Sequence, residues 1–191
     1  MSAVQNYTKI DIVQEDRKGD IAGLEFALEH IIHPIPPFFD ADSKILILGS
    51  FPSVKSRESR FFYGHPQNRF WKLMTLLYRE ETVPVTIEEK AALLRRHHIA
   101  AWDSIHACDI QGSSDSSIKN VEPNDFSQIL KTAAIRQIYT NGRKSHEIYT
   151  KYCLPQTKRE AVCLPSTSPA NAAWSLERLA EAWKVILQET V

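Results

Sequence analysis

The sequence predicts an α/β fold, a three-layer α/β/α sandwich with a central, mostly parallel four-stranded sheet. The first observation is a set of short apolar or β-branched runs typical of buried strands, at residues 45–48, 99–102, 136–140 and 161–164. The second is a set of helical patterns between and after them, at residues 68–78, 87–97, 124–132, 143–152 and 170–188. Strands that alternate with helices predict a parallel sheet covered on both faces. A chain of 191 residues is long enough for one such domain.

The first strand is the clearest of these elements. Residues 45–48 are Ile-Leu-Ile-Leu, as expected for a strand buried on both faces, and Gly49 ends the run. The amide-rich turn Gln67-Asn68 leads into the first helix, and Ser168-Pro169 is a start signal for the last one. The glycine- and serine-rich segment 112–117 predicts a mobile loop after the second strand.

The N-terminal part of the chain differs from the rest. Residues 19–32 can form one amphipathic helix, and a proline-rich turn at residues 33–37 follows it. We therefore predict an N-terminal extension at residues 1–32, formed by one helix and without an assigned role. Residues 33–191 are predicted to form a single domain.

The composition limits the class of protein. Hydrophobic residues make up 43% and charged residues 24%, which is ordinary for a soluble globular protein, and no segment could span a membrane. Cys108, Cys153 and Cys163 are odd in number and lack metal-ligand spacing, which fits a reducing cytoplasm and argues against a four-cysteine iron–sulfur cluster. HExxH, paired CxxC, Walker and GxGxxG motifs are missing from the sequence. We predict a cytoplasmic monomer that needs no metal and no cofactor.

A loop of small, basic and aromatic residues follows the first strand, at the end where open α/β sheets bind ligands. From Lys55 to Lys72 it has five basic residues and the single acid Glu58, although the whole chain has a net charge of zero. This cluster beside the end of a strand predicts contacts with nucleic-acid phosphates, whereas charge alone favours a solvated loop. The candidate phosphate-binding residues are Lys55, Arg57, Arg60 and Arg69.

Two motifs resemble those of a known enzyme family. Gly49-Ser50-Phe51-Pro52-Ser53, followed by Tyr63-Gly64-His65-Pro66-Gln67-Asn68-Arg69-Phe70-Trp71, is similar to the first motif of the uracil-DNA glycosylase superfamily. Leu164-Pro165-Ser166-Thr167-Ser168-Pro169-Ala170-Asn171-Ala172 is similar to its second motif. The likeness covers residues 33–183 and is strongest to the branch of hypoxanthine-DNA glycosylases.

The resemblance implies base excision as the function. Such an enzyme flips a nucleotide out of DNA into a pocket, at a cost of a few kcal/mol, and hydrolyses the bond between base and sugar. The implied partner is DNA that carries a deaminated base, above all hypoxanthine in deoxyinosine. Because neither motif core contains a lysine for Schiff-base strand cleavage, we predict a monofunctional glycosylase. A preference for uracil or xanthine stays open, as does a nucleic-acid-binding domain without catalysis.

Asn68 is the first candidate for catalysis. Other superfamily members often carry an Asn or Asp in the stretch that aligns with residues 49–53, which here has neither, while the important Asn of the hypoxanthine branch aligns with Asn68. Its side-chain carbonyl could hold the attacking water, and its amide could bond the sugar or the base. The alternative role is a helix cap, which Asn commonly forms.

The resemblance also indicates which residues bind the flipped base. Tyr63 aligns with the aromatic residue that stacks on the base, although Phe51, Phe61 and Phe62 compete for this role or pack in the core. The expected backbone cradle for the base consists of Gly49, Ser50, Phe51, Pro52 and Ser53.

The second motif is expected to enter the DNA helix next to the flipped base. Several superfamily members have a His where this chain has Ser168, so strong stabilisation of the leaving base by this loop is not implied. Ser168-Pro169 could also open the last helix, and the two roles are compatible. The candidates are Ser168 as a catalytic residue, and Pro169, Ala170 and Asn171 as DNA contacts.

Two titratable residues near the motifs have open roles. His65 is expected to fix the turn before Pro66 rather than to act as an acid or base. Asp103 follows the second strand and is better placed than most acids, but a structural role in its loop is equally open.

Overall fold

A computed structural model describes residues 28–190 of the chain. Its strands are β1 Glu29–Ile32, β2 Ile45–Gly49, β3 Ile99–Asp103, β4 Ile105–Ile110, β5 Lys119–Pro123, β6 Gln137–Asn141 and β7 Ala161–Leu164. The main sheet has the order β3-β2-β6-β7, and all of its neighbouring strands are parallel. A second, antiparallel sheet has the order β1-β4-β5.

The helices are short. They are α1 Val54–Ser59, α2 Phe70–Tyr78, α3 Ile87–Arg96, α4 Ser127–Thr132, α5 Arg143–Ile148, α6 Leu154–Thr157, α7 Leu176–Trp183 and α8 Leu187–Thr190. A π-helical turn, Tyr149–Cys153, joins α5 to α6, and a 3-10 turn, Lys184–Ile186, joins α7 to α8. Within residues 28–190, none of the helices has the length and apolar character needed to cross a bilayer.

The main sheet has a hydrophobic core on each face. β2 is buried along its whole length, and its side chains alternate between the two cores. Ile45 and Ile47 pack in the core that contains the buried residues of α2, α3 and α7. Leu46 and Leu48 pack in the core that contains Ile129 of α4 and the buried residues of the π-helical turn. This arrangement confirms the predicted three-layer sandwich.

The predicted elements of the main sheet are confirmed to within one residue at each end. The predicted helix 124–132 begins later, at Ser127, because the Asn124 side chain has a different task. Its Nδ2 donates to the carbonyls of Asp103 and Ile105, at 2.9 and 3.0 Å, and so holds the turn between β3 and β4.

Residues 29–32 form a strand and not the end of the predicted helix 19–32. β1 pairs with β4, with Glu29 opposite Ile110 and Ile32 opposite Ala107, so its backbone groups bond across the sheet. The assignment of residues 29–32 to a helical extension is therefore wrong, because they belong to the second sheet of the domain. The rest of that prediction, up to residue 27, lies outside the described residues.

The carboxyl ends of β2, β3 and β6 meet at one edge of the main sheet. Gly49 lies opposite Asp103, and Leu48 lies opposite Thr140. The Ser104 backbone N–H donates to the Gly49 carbonyl at 2.9 Å, so the β3–β4 turn holds the start of the first motif. The segment 112–117, predicted as a mobile loop, joins β4 to β5 beside the same edge and contains a 3-10 turn, Asp115–Ser117.

The last helix begins later than predicted. Residues 170–175 form turns, and α7 begins at Leu176, where the Ser175 hydroxyl accepts the Arg178 backbone N–H. The prediction that Ser168-Pro169 opens this helix is therefore wrong. The physical reason is that carbonyl groups of the second motif accept hydrogen bonds from a distant side chain, Arg69, instead of from a following helical turn.

Arg69 ties the second-motif loop to the start of α2. Its guanidinium donates to the carbonyls of Thr167 at 3.3 Å, Ser168 at 2.6 Å and Asn171 at 3.0 Å, and also to that of Trp174. Its backbone N–H adds a bond to the Thr167 carbonyl at 3.1 Å. This geometry contradicts the prediction that Arg69 binds DNA phosphate, because its donors are directed at the protein's own backbone.

We expect Arg69→Ala to lower the free energy of unfolding by about 2–4 kcal/mol, because several carbonyls would lose a charged donor. Urea unfolding would measure this loss. The free energy of unfolding of Arg69→Lys should fall between those of Arg69→Ala and the wild type, since an ammonium cannot reproduce the planar guanidinium fork. The control is Lys72→Ala, an exposed position on the same helix, which we expect within about 0.5 kcal/mol of the wild type. Unchanged stability of Arg69→Ala, together with weaker DNA binding, would restore the phosphate role.

Candidate active site

A cavity of about 120 Å³ lies at the carboxyl edge of the main sheet. Both sequence motifs and the ends of β3 and β6 contribute to its wall. The predicted site residues that line it are Gly49, Ser50, Phe51, Pro52, Ser53, Tyr63, Asn68 and Ser168. The fold therefore brings residues from opposite ends of the domain sequence to one small site.

The first-motif loop is held in place by its own side chains. The Ser50 hydroxyl donates to Asp115 at 2.9 Å, and the Ser53 hydroxyl caps α1 by accepting the Ser56 backbone N–H at 3.2 Å. Phe51 is buried and packs against residues of the second sheet behind the cavity. The loop thus presents a rigid wall of backbone and hydroxyl groups.

Asn68 makes two hydrogen bonds through its carbonyl oxygen. Asn68 Oδ1 accepts the Phe70 backbone N–H at 3.0 Å and the Thr167 hydroxyl at 2.9 Å. Since a carbonyl oxygen has two lone pairs, this oxygen is fully used, which contradicts the expectation that it holds a water. The alternative role as a helix cap is partly realised through the bond to Phe70. The Nδ2 amide makes no hydrogen bond to any residue in the range 28–190 and is the group left for a ligand.

A hydrogen-bond chain from β6 sets this orientation of Asn68. Asn141 Nδ2 donates to the Thr167 hydroxyl at 2.9 Å, and Asn141 Oδ1 accepts the Thr167 backbone N–H at the same distance. Thr167 is completely buried. Asn141 and Thr167 both line the cavity, and sequence reasoning missed both of them. The available signals were that Asn141 ends a predicted strand and that Thr167 lies within the second motif.

Tyr63 lines the cavity, and one face of its ring packs against other aromatic residues. Its ring stacks on Phe70, with ring centroids 3.8 Å apart, and meets Trp71 edge-on at 6.5 Å. Burial raises the pKa of Tyr63 well above its ordinary value, helped by the nearby Asp103 carboxylate and only partly offset by Asn141. The hydroxyl is buried, and no residue from 28 to 190 forms a hydrogen bond of normal geometry with it. Tyr63 therefore lines the cavity as a neutral ring. The competing Phe61 and Phe62 are buried in the core, although Phe62 also touches the cavity.

The second-motif loop is a series of turns beside the cavity. The Ser168 hydroxyl accepts the Ala170 backbone N–H at 3.3 Å, and Asn171 Nδ2 donates to the Ser166 carbonyl at 2.9 Å. Ala170 is exposed and Pro169 is half-buried, so the tip of the loop faces solvent. Ser168, Ala170 and Asn171 also line a second, wider cavity of about 640 Å³ next to the first.

The four predicted phosphate-binding residues separate into two groups. Like Arg69, Arg57 serves the protein's own backbone, because its guanidinium donates to the carbonyls of Pro52 at 2.8 Å and Gly112 at 3.2 Å, and burial lowers its pKa. Lys55 is exposed and paired with Glu58 at 2.8 Å, and Arg60 is exposed at the end of α1.

Other polar residues near the site were missed or left open by the sequence. Arg143, at the start of α5, is exposed and lines the second cavity. Asp115 lines both cavities from the loop between β4 and β5. Asp115 is exposed as a residue, but protein surrounds its carboxyl group. This burial raises the pKa of Asp115, and the hydrogen bond from the Ser50 hydroxyl partly offsets the rise. Asp103 also lines the first cavity, and its carboxylate bonds to His33 at 2.9 Å.

His65 fixes the turn before α2, as expected. Its Nδ1 accepts the Gln67 backbone N–H at 3.2 Å, and its carbonyl accepts the Asn68 backbone N–H at 2.9 Å. It does not belong to the residues that line the cavity.

Comparisons with known proteins agree with this geometry. The family described as "Uracil DNA glycosylase superfamily" matches residues 36–187. A protein named hypoxanthine DNA glycosylase from Methanosarcina acetivorans is 36% identical over 154 residues, which cover 80% of this chain and 96% of the relative. A relative of the same name from Methanosarcina barkeri is 35% identical over 150 residues, 78% of this chain and 92% of the relative. A solution NMR structure of a uracil DNA glycosylase candidate from Methanosarcina acetivorans matches with a TM-score of 0.70 at 36% identity. The match covers 83% of this chain and 98% of the chain in that structure. The chain belongs to the uracil DNA glycosylase superfamily.

Proposed function

We propose that this protein is a monofunctional DNA glycosylase that removes hypoxanthine from deoxyinosine and leaves an abasic site. The observation that carries the proposal is that Tyr63, Asn68 and Ser168 all line the first, smaller cavity. The two Methanosarcina relatives named hypoxanthine DNA glycosylase support the choice of base. Uracil is the second candidate substrate, favoured by the uracil DNA glycosylase candidate among the solved structures.

The role of Asn68 follows from its free amide. Cleavage of the bond between base and sugar leaves negative charge on the departing base, and a positioned N–H donor stabilises such charge in the transition state. Thr167 and Phe70 hold the Asn68 carbonyl, so the amide needs no reorganisation when the base arrives. Asn68 therefore acts as a donor to the base or sugar.

The remaining parts of the site bind the base and the DNA. Tyr63 stacks on the flipped base with its free face, while Phe70 supports the ring from behind. The loop tip at Pro169, Ala170 and Asn171, of which Ala170 is exposed, contacts the duplex where the base has left the stack. Phosphate contacts come from the exposed Lys55, Arg60 and Arg143. The monomeric state and the cytoplasmic location stay predictions.

The proposed function is tested by base excision with excess enzyme. Matched labelled duplexes would carry one deoxyinosine, deoxyuridine or deoxyxanthosine, and alkali would convert abasic sites into breaks. We expect fastest release from deoxyinosine and breaks only after alkali. Faster release of uracil would mean that uracil is the preferred substrate of the same reaction. DNA binding without any product would support a non-catalytic domain.

Asn68→Asp separates the two possible roles of this side chain. Aspartate keeps the oxygen that accepts from Phe70 and Thr167 but has no amide donor, so we expect a single-turnover rate lower by about 10²-fold or more. Asn68→Ala should lose a similar factor and also about 1 kcal/mol of stability, because the helix start loses its cap. A rate for Asn68→Asp equal to or above that of the wild type would indicate instead that the carbonyl group of Asn68 holds the attacking water. Thermal melting would establish that both variants are folded.

Tyr63 is tested by removing the ring and the hydroxyl separately. Tyr63→Ala should weaken binding to DNA with a non-hydrolysable deoxyinosine analogue by about 1–3 kcal/mol, which is roughly 5- to 150-fold in affinity. Tyr63→Phe should bind like the wild type, since within residues 28–190 the hydroxyl has no hydrogen bond of normal geometry to lose. Equal affinities of Tyr63→Ala and wild type would assign stacking to Phe51 or Phe62 instead.

A further inference from the structure

The two cavities of the site meet at Asp115, to which the proposed function assigns no role. Within residues 28–190, the residues that line both cavities are Asp115, Ser166 and Ser168, and Asp115 is the only acid among them. In the proposed complex, the flipped base lies in the first cavity, against Tyr63. Arg143, which is proposed to bind phosphate, lines the second. The sugar that joins the base to the backbone of the DNA therefore lies at the junction of the cavities, beside Asp115.

The loop that carries Asp115 is tied to the first motif and to α1. The Ser50 hydroxyl donates to Asp115 Oδ1 at 2.9 Å. The Ser113 hydroxyl accepts the first backbone N–H of α1 at 2.9 Å, and the Arg57 guanidinium donates to the Gly112 carbonyl at 3.2 Å. Because these contacts hold the carboxyl group in place, it needs no ordering when a nucleotide enters the site.

The second oxygen of the Asp115 carboxyl group is left for a ligand. Oδ1 accepts from Ser50, and in the described part of the chain no residue donates to Oδ2. The Asn68 carbonyl is not available to hold a water, since two hydrogen bonds already use it. Asp103, the other acid among the described residues of the first cavity, does not line the second and is paired with His33. Asp115 Oδ2 is therefore the free carboxylate oxygen at the junction.

We propose that Asp115 is the catalytic base of the glycosylase, whose Oδ2 holds the attacking water and takes its proton. The proposal rests on the proposed function and names the residue that activates the nucleophile. As the water oxygen bonds to the anomeric carbon, the bond from that carbon to the base breaks, and its electron pair leaves with the base beside the Asn68 amide. The base then takes a proton from solvent, and Asp115 releases the proton of the water to solvent.

The groups around Asp115 determine the pH range in which it acts as a base. Burial of the carboxyl group is the main cause that raises the pKa of Asp115. The Asp103 carboxylate adds to this rise, whereas the hydrogen bond from Ser50 and the Lys144 ammonium oppose it. Other titratable or charged groups on the surrounding elements are Cys108 on β4, Arg57 on α1 and Arg143 on α5. A raised pKa makes a carboxylate a better proton acceptor, and this acceptor is lost as the pH falls through the raised pKa.

The test is the pH dependence of single-turnover release from deoxyinosine. Asp115→Asn keeps an oxygen for Ser50 but cannot take a proton, so we expect a rate at neutral pH lower by about 10²- to 10⁴-fold. The wild-type rate should fall as the pH drops through the pKa of Asp115, and this fall should be missing in Asp115→Asn. Asp115→Glu keeps a carboxylate and should retain both the fall and more of the rate. The matched control is Asp42→Asn, an exposed aspartate in the turn before β2, which we expect to react at the wild-type rate.

Two further measurements separate catalysis from a structural role. The affinity of Asp115→Asn for a duplex with a deoxyinosine analogue fluorinated on the sugar, which resists cleavage, should equal or exceed that of the wild type. The reason is that removing an anion does not weaken electrostatic attraction to DNA phosphates. Sodium azide, an anionic nucleophile that needs no base, should speed Asp115→Ala by a larger factor than it speeds the wild type.

Four results would overturn the inference. They are an unchanged rate of Asp115→Asn, a fall at low pH that persists in this variant, a loss of affinity as large as the loss of rate, and an equal effect of azide on Asp115→Ala and wild type. The third would assign Asp115 to holding the Ser50 loop, and the fourth would leave it a purely electrostatic role. A wild type that releases none of the deaminated bases would reject the proposed function itself, and so differs from an active wild type whose rate does not depend on Asp115. Thermal melting would establish that each variant is folded.

Discussion

The buried hydroxyl of Thr167 is the group on which the geometry of the site depends. A hydroxyl has one proton to donate, and the Asn141 amide already donates to this oxygen, so the proton goes to Asn68. The bond from Thr167, together with that from Phe70, turns the Asn68 carbonyl away and leaves its amide free. The direction of the Asn68 side chain, a candidate catalytic group, is thus set by the carboxyl end of β6, through a residue of the second motif.

Two arginines in or beside the first motif serve the protein's own backbone. Arg57 and Arg69 each hold a loop by donating to carbonyl groups, and neither is free to form a basic footprint on the surface. Loops without regular structure have carbonyl groups that need donors, and a guanidinium offers several in one plane. A chain with zero net charge can therefore have arginine-rich motifs, because part of that charge is used to build the site.

The main sheet could be predicted because its strands are short apolar or β-branched runs, which are typical of a parallel sheet covered on both faces. The second sheet could not, since β3 passes into β4 through the single residue Ser104, and nothing in the local pattern marks the change of sheet. Within the site, the motifs predicted which residues meet. They did not predict the orientation of Asn68 or the use of Arg69, because both depend on partners about 100 residues away in the chain.

Gly49 has one role that the sequence predicts and a second that only the structure shows. From the sequence, the small residue at the end of β2 indicates a close approach of the backbone to a ligand. The structure gives it another reason, since any side chain at this position would collide with Asp103 Oδ1 on the neighbouring strand. Gly49 and the acid at the end of β3 therefore form one unit, in which the glycine provides the space and His33 holds the carboxylate within it. A residue outside both motifs thus accounts for a glycine inside one of them.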